Sequence, residues 1–400
     1  MANTFTDVVK LHYAEATQEN LEKSLTAMDL AGMIDIPNGT TKNLPYVQMR
    51  ATGNYTKYTN QTIQDVTTGN DTIVINTTPM VNFAMDVIDE GDNYIDVKSE
   101  VIQDASYQIK KRIDGDFFNQ VLNAKWKYDA NGFGRNTGTL SPITLTTGAS
   151  QNISTTFGKA KAGLTNNGAN GNALALCVDD FIAADLTTLG METNVSGVAD
   201  VSYTRGFQGK FGGMNTYSVS MLTGTAVMDL ATQPTDGDTV TIQGVTFTFK
   251  TTLGTTAGNV LIGADANAAS VNLVALINAP GTTTAQGVAL SQDDQATLEG
   301  VSAVDGTNLL TITSKNGAVN ASSVMTAAAN DFQAQVLNAG IMEKGAIKMA
   351  LRDGVKVDTR DEPLKLVTNY FIYARYGLKV TTRSKERMVV IPLVSQAAEA

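Results

Sequence analysis

The sequence predicts an α+β protein that carries a small β-rich insertion, and three observations lead there. The stretch YIDVKSEVIQDASYQIKKRIDGDFFNQVLNAKW, from Tyr94 to Trp126, has the three-and-four spacing of one long amphipathic helix. Segments that alternate apolar with polar residues lie on both sides of it. A block over 232–316 differs from its surroundings in charge and reads as short strands joined by turns.

The bulk properties set bounds on this. The chain has 400 residues and is 42% hydrophobic, which suffices for a sizeable core and suits about two or three domains. It holds no run of about 18 apolar residues, so no membrane-spanning helix is expected. The opening MANTFTDVVKLHYAE lacks the basic and apolar regions of a secretory signal. Cys177 is the sole cysteine, which rules out an intramolecular disulfide and fits cytosolic synthesis. A net charge of −10 argues against a dedicated duplex-DNA binder, although it allows a surface that merely faces DNA.

Taken in order, residues 1–45 hold an amphipathic segment from Ala16 to Met33, then IPNGTTKNLPY, whose Pro37, Asn38-Gly39 and Pro45 predict turn and extended arm. VQMRATGNYTKYT and DTIVINTTPMVNFAM alternate and predict a long antiparallel hairpin over 46–86. With few large apolar residues, such a ribbon needs burial from elsewhere. Asp86, Asp89, Glu90, Asp92 and Asp96 precede or open the helix, where negative charge suits its dipole. On the helix, Ile102, Ala105, Ile109, Ile113, Phe117 and Val121 form the apolar face, and Gly115 is the weak point, costing about 1 kcal/mol against Ala.

After Trp126, a Gly/Asn/Thr-rich connection leads to a helix near 154–164. ALALCV (173–178) predicts a buried strand, with Asp179 or Asp180 capping FIAADLTTL behind it. Glycines 206, 209, 212 and 213 mark a turn before a strand from Met214 to Leu222. Within 236–314, Lys250 faces seven acids: Asp236, Asp238, Asp265, Asp293, Asp294, Glu299 and Asp305. There, Gln243-Gly244 and Asp305-Gly306 each join two alternating runs, and 265–279 predicts a short helix. Helical stretches interrupted by Gly340 and Gly345 are expected over 327–350. NYFIYARYGLKVTTRSKERMVVIPL closes the chain as two long strands turning at 384–387.

Chemistry is sparse. A catalytic triad would have to use His12, the only histidine, which lies in the N-terminal arm ahead of any predicted core and is not expected to serve one, and one histidine with one cysteine cannot build the usual zinc site. The paired carboxylates fall at turns and caps. The glycines at 206–213 have the wrong spacing and context for a dinucleotide loop, and no phosphate-binding lysine motif exists. Cys177 lies within an apolar strand and reads as an inert buried thiol. No catalytic, cofactor-binding or metal-binding residue is expected.

The order of these pieces resembles the HK97-fold major capsid proteins of tailed double-stranded DNA bacteriophages. ALALCVDDFIAADLTTL is similar to that family's strand–helix pair, GFQGKFGGMNTYSVSML to its glycine-spaced turn and strand, and YGLKVTTRSKERMVVIPL to its closing strands. An insertion following SVSML is similar to podovirus coat proteins. The resemblance implies an N-terminal arm (1–45), an E-loop hairpin (46–93), and a spine helix opening the peripheral domain (94–160). An axial domain (161–231 and 317–350), interrupted by the insert (232–316), and closing peripheral strands (351–400) complete it. It implies a non-enzymatic shell subunit that forms hexamers and pentamers in the host cytoplasm and is found in the virion. Arg50, Tyr55, Lys57 and Tyr58 would contact neighbouring subunits. The implied partners are other copies, a separate scaffolding protein, a portal, a decoration protein and packaged DNA without sequence-specific binding. No membrane is implied. An encapsulin-like nanocompartment shell and a tail or surface adhesin remain alternative readings.

Overall fold

The computed structural model describes residues 27–37, 39–47, 54, 57–58, 68–86, 97–146, 152–180, 182–183, 186, 207–219, 222–333, 335–362 and 367–394. It divides into two compact units. One comprises Met1–Glu22, Leu30–Lys110 and Lys344–Glu386; the other comprises Lys23–Asp29, Lys111–Glu343 and Arg387–Ala400. His12, the amphipathic segment before residue 27, and the acidic group from 89 to 96 lie outside the described residues.

After a helical turn, Ala27–Leu30, come four strands: β1 (Gly32–Met33), β2 (Thr41–Val47), β3 (Thr68–Val74) and β4 (Met80–Asp86). β2 and β3 pair antiparallel from Thr41↔Val74 to Val47↔Thr68. The hairpin thus begins earlier than expected, because TKNLPYV is a strand and not an arm. Tyr46 lies across Gly69, where any side chain would overlap its ring, and this cross-strand fit fixes the register. The returning strand also ends sooner, at Val74, and β4 joins a different sheet.

Helix α1 spans Val97–Asn119, and a 3-10 turn, Gln120–Asn123, follows it. Ala105, Ile109, Ile113, Phe117 and Val121 are buried along one face, as the spacing requires. Trp126 leaves the helix and opens strand β5 (Trp126–Asp129), which pairs with β6 (Gly132–Arg135); β7 (Ile143–Thr144) is short. Helix α2 (Ile153–Asn166) buries Ile153, Phe157, Ala160 and Leu164. β8 (Leu174–Val178) is buried at every position, as its unbroken apolar run predicts. β9 (Phe207–Phe211) and β10 (Met214–Ser218) form a hairpin through Gly212 and Gly213, both at positive φ, so the glycine-rich turn serves two strands.

Strand β11 (Gly224–Leu230) leads into the insertion. β12 (Thr239–Ile242) and β13 (Val245–Lys250) turn through Gln243 and Gly244, both at positive φ. Then follow β14 (Asn259–Leu261), helix α3 (Ala266–Asn278), helix α4 (Gln292–Thr297), β15 (Val301–Asp305), β16 (Leu309–Ser314), β17 (Ala321–Val324) and β18 (Asn330–Phe332). β14-β13-β12-β17 form one sheet, while β15, β16 and β18 pair through β11. The β-rich region therefore continues past 316, since β17 is registered against β12 from Thr239↔Val324 to Ile242↔Ala321. A single apolar cluster, with Leu230, Val240, Phe247, Phe249, Leu273, Leu276 and Ile312, fills this region.

The remaining strands are β19 (Val336–Glu343), β20 (Ile347–Glu362), β21 (Val367–Val380) and β22 (Met388–Val394). The helical stretches expected over 327–350 are thus strands. β19 is buried on both faces, so Leu337, Ala339, Ile341 and Met342 show no two-residue alternation for the sequence to display. β21 and β22 do not pair with each other as a closing ribbon. β21 lies between β20 and β4 in the first unit's sheet, ordered β1-β20-β21-β4. β22 lies between β19 and β5 in the second unit. There β8, β19 and β22 cover α2 around Leu176, Ile341, Val389, Ile391 and Phe157.

Candidate functional site

The first unit's β2–β3 hairpin is tied down along its paired length. Asp71 of β3 accepts from the Thr382 backbone N–H at 2.8 Å and from its hydroxyl at 3.0 Å. Arg383 donates to the Val47 carbonyl, and Arg352 donates to the Gly39 carbonyl at 2.9 Å. β3 also crosses β21 closely: a Cβ at Gly377 would overlap the Val74 carbonyl. Below this crossing, Ile36, Ile73, Ile75 and Ala350 form a small apolar cluster. Part of the basic run at 375–387 thus anchors the hairpin. Arg387 instead pairs with Glu343 at 3.1 Å in the second unit.

Among the four residues expected to contact neighbours, Arg50 and Tyr55 lie outside the described residues. Lys57 and Tyr58 are both exposed, and Tyr58 is 91% exposed at a φ of 68°. The Lys57 ammonium lies 4.8 Å from the Tyr58 ring centroid. Val47 and Val74, at the ends of β2 and β3, are exposed as well.

Other side chains singled out in the sequence are buried or hydrogen-bonded within the fold. Cys177 is fully buried, and burial pushes its thiol up to about 12, so it is inert at neutral pH. Asp238 accepts from the Thr235 N–H at 2.8 Å and from the Thr326 N–H and hydroxyl at 2.9 and 2.7 Å. Asp236 accepts from the Thr251 N–H at 2.8 Å, which holds its carboxyl below the usual range. Asp294 bonds Ser291, the cap of α4, at 2.7 Å, and Asp180 accepts from Ser218. Among the described residues, no three metal-ligating side chains come together.

Sequence reasoning missed several asparagines that stand in for backbone. Asn278 of α3 donates to the Ala303 carbonyl at 2.8 Å and accepts from the Ala303 N–H at 2.9 Å, capping the edge of β15. Asn330 does the same for Thr232, at 2.9 Å in both directions. No local signal marks either residue, because each partner is far away in sequence.

No protein-family model matches the chain, and no curated protein matches it either. Solved structures do. A chain from the capsid structure of cyanophage P-SCSP1u is 11% identical, with a TM-score of 0.52 over 99% of this chain and 96% of that one. A chain of Mycobacterium phage Ogopogo is 8% identical, with a TM-score of 0.50 over 98% of this chain and 100% of that one. At such identity the likeness is one of architecture alone: the chain has the HK97-type fold of phage capsid proteins.

Proposed function

We propose that the chain is the major capsid protein of a tailed double-stranded DNA phage. In this reading it is a structural subunit, with no catalysis and no cofactor, that assembles with its own copies into the hexamers and pentamers of an icosahedral shell. The observation that carries the reading is mutual coverage: 99% of this chain and 96% of a cyanophage capsid chain share one fold, so little of either is left over for another role. The hairpin supports it independently, since Val47, Val74 and Tyr58 are left for a second surface to cover. Arg50, Tyr55, Lys57 and Tyr58 are then contacts with a neighbouring subunit. The nanocompartment-shell and adhesin readings are not favoured.

The proposed divisions follow the family's layout with two bounds moved: an arm that ends before Thr41, an E-loop from 41–93, a peripheral domain from 94–160 and 351–400, and an axial domain from 161–231 and 330–350 around an insert of 232–329. A separate scaffolding protein, a portal and a decoration protein would be partners, with DNA enclosed but not read. The shell would form in the host cytoplasm and persist in the virion. Electron microscopy and sedimentation of the protein, expressed alone and with its scaffolding protein, test this. Closed shells are expected, and combined Tyr58→Ala and Lys57→Ala should reduce them while leaving the soluble subunit folded. A chain that stays monomeric under both conditions would overturn the reading.

A further inference from the structure

The outer half of β20 stands at the rim of the first unit's sheet. Register shifts between Leu351 and Lys356 set it apart from the inner half. From Lys356↔Tyr373 to Glu362↔Val367 it pairs with β21 without interruption, and β21 carries β4 on its far side from Tyr373↔Met80 to Val367↔Asp86. β1 covers the other edge of β20 only at Lys348 and Met349. Among the described residues, no strand covers that edge from Lys356 to Glu362, and all seven residues of the stretch are exposed. Such an edge presents backbone donors and acceptors as a template for another strand.

The charges along the edge say which strand. Lys356, Asp358, Arg360 and Glu362 alternate with Val357, Thr359 and Asp361, so the four share one face of the strand. Tyr370 and Ile372, registered against Thr359 and Val357, are buried on the opposite face. Laid antiparallel on a second copy of itself about Thr359, the stretch sets Lys356 across from Glu362 and Asp358 across from Arg360, each pair twice. The smallest shift that keeps the charged face is two residues. In one direction it puts Lys356 on Arg360 and Asp358 on its own copy; in the other, Asp358 on Glu362 and Arg360 on its own copy. Opposite charges directly across a ladder stabilise it and like charges oppose it, so the sequence selects one register. An edge kept only from associating would do better with a single sign, which repels a copy in every register. Contacts within the subunit orient the row: Asp358 accepts from the Tyr373 hydroxyl at 2.9 Å and Glu362 from the Asn369 amide at 3.2 Å. The Arg360 guanidinium lies 5.6 Å from the Phe371 ring centroid. A carboxylate has about four acceptor sites, so these bonds leave capacity for a donor from outside.

We propose that β20 pairs antiparallel with β20 of a second copy across a twofold axis at Thr359, so that the β4-β21-β20 ribbons of two chains become one continuous sheet. Neighbours within a ring of five or six subunits meet head to tail, so a self-complementary contact of this kind joins one ring to the next. That placement rests on the shell reading; the pairing itself does not. Directly opposed Cα atoms lie about 4.5–5.5 Å apart, inside the ~4.4–6.8 Å that a disulfide spans. Thr359→Cys in the full chain should therefore link to its own copy under mild oxidation, whereas Val357→Cys, roughly 14 Å from its copy along the ladder, should not. Cys177 is buried and takes no part. On non-reducing gels of the free protein and of particles formed with the scaffolding protein, Thr359→Cys should give dimer at least about tenfold faster than Val357→Cys. Adding Asp358→Arg to Thr359→Cys should slow linking about tenfold, because arginine then meets Arg360, and adding Arg360→Asp as well should restore it. The doubly swapped chain has lost its Tyr373 and Phe371 contacts, so recovery reports pairing between copies and not repair of the subunit. No linking, equal linking at 357 and 359, or a swap that restores nothing would overturn the pairing even where shells close. Dimers linked at 359 by a chain that closes no shell would uphold the pairing and sink the placement between rings. Should Asp358→Arg fail to fold, the comparison of Thr359→Cys with Val357→Cys decides alone.

Discussion

Asp129 organises its loop by accepting from three donors at once: the Lys127 ammonium at 2.6 Å, the Asn131 N–H at 2.9 Å and the Ser141 N–H at 3.2 Å. Burial raises its pKa, but the Lys127 bond and the two backbone donors together outweigh burial and leave the carboxyl below its ordinary value. A carboxylate depressed in the folded state contributes stability that is complete above its unfolded pKa. That stability is lost as pH falls through the folded value, so the window lies below pH ~4. Asp129→Asn should therefore cost about 1–3 kcal/mol at pH ~7 and show a weaker further loss on acidification than the native protein. Denaturant midpoints at neutral and acid pH, for both proteins, check this; equal acid sensitivity would mean that Asp129 is not the titrating group. Neither the depressed carboxyl nor the Asn278 and Asn330 surrogates could be read from the sequence, because each depends on donors that only the fold brings near. The inertness of Cys177 could be, because an unbroken apolar run already implied burial.

At the scale of elements, legibility followed amphipathicity. α1, β8, the β12–β13 and β15–β16 hairpins and the glycine-rich turn each carry a periodic pattern or a turn residue with a definite backbone requirement. β19 carries neither, since both its faces are covered and Gly340 yields to Val121, whose Cγ1 lies 2.6 Å from where a Cβ would stand. The hairpin was legible as a hairpin but not in its register. TKNLPYV has the proline and turn chemistry of an arm, and only the Tyr46–Gly69 fit across the strands shows otherwise. What holds that hairpin in place is also nonlocal: Gly377 lets β3 cross β21. Gly377→Val should detach the hairpin's root at a cost of about 1–3 kcal/mol. Limited proteolysis should then cut within 41–74 faster than in the native protein. An unchanged cleavage pattern would show that Asp71 and Arg383 suffice without the close crossing.

For the molecule as a whole, the question is where the insertion ends. Charge composition marks 232–316, but pairing marks a longer piece: β17 depends on β12, and Leu230 is registered against Asn330 where the chain comes in and goes out. Asn330 then closes both polar groups of Thr232, so the two ends are already bonded to each other. A domain whose ends meet can be removed and bridged by a short turn. Removing 232–316 alone would strand β17 without its partner and leave Met325 and Phe332, which rest on the insertion's core, against nothing. Replacing 232–329 with a short Gly/Asn turn keeps the Leu230–Asn330 pairing and discards the dependent strands together. The longer deletion should keep a cooperative thermal transition and its near-ultraviolet circular dichroism, provided Met228, Leu230 and Phe332, uncovered by the loss of the core, are made polar. The shorter deletion should aggregate or lose cooperativity. If both behave alike, the insertion's limit is set by composition after all, and β17 and β18 belong energetically to the rest of the chain.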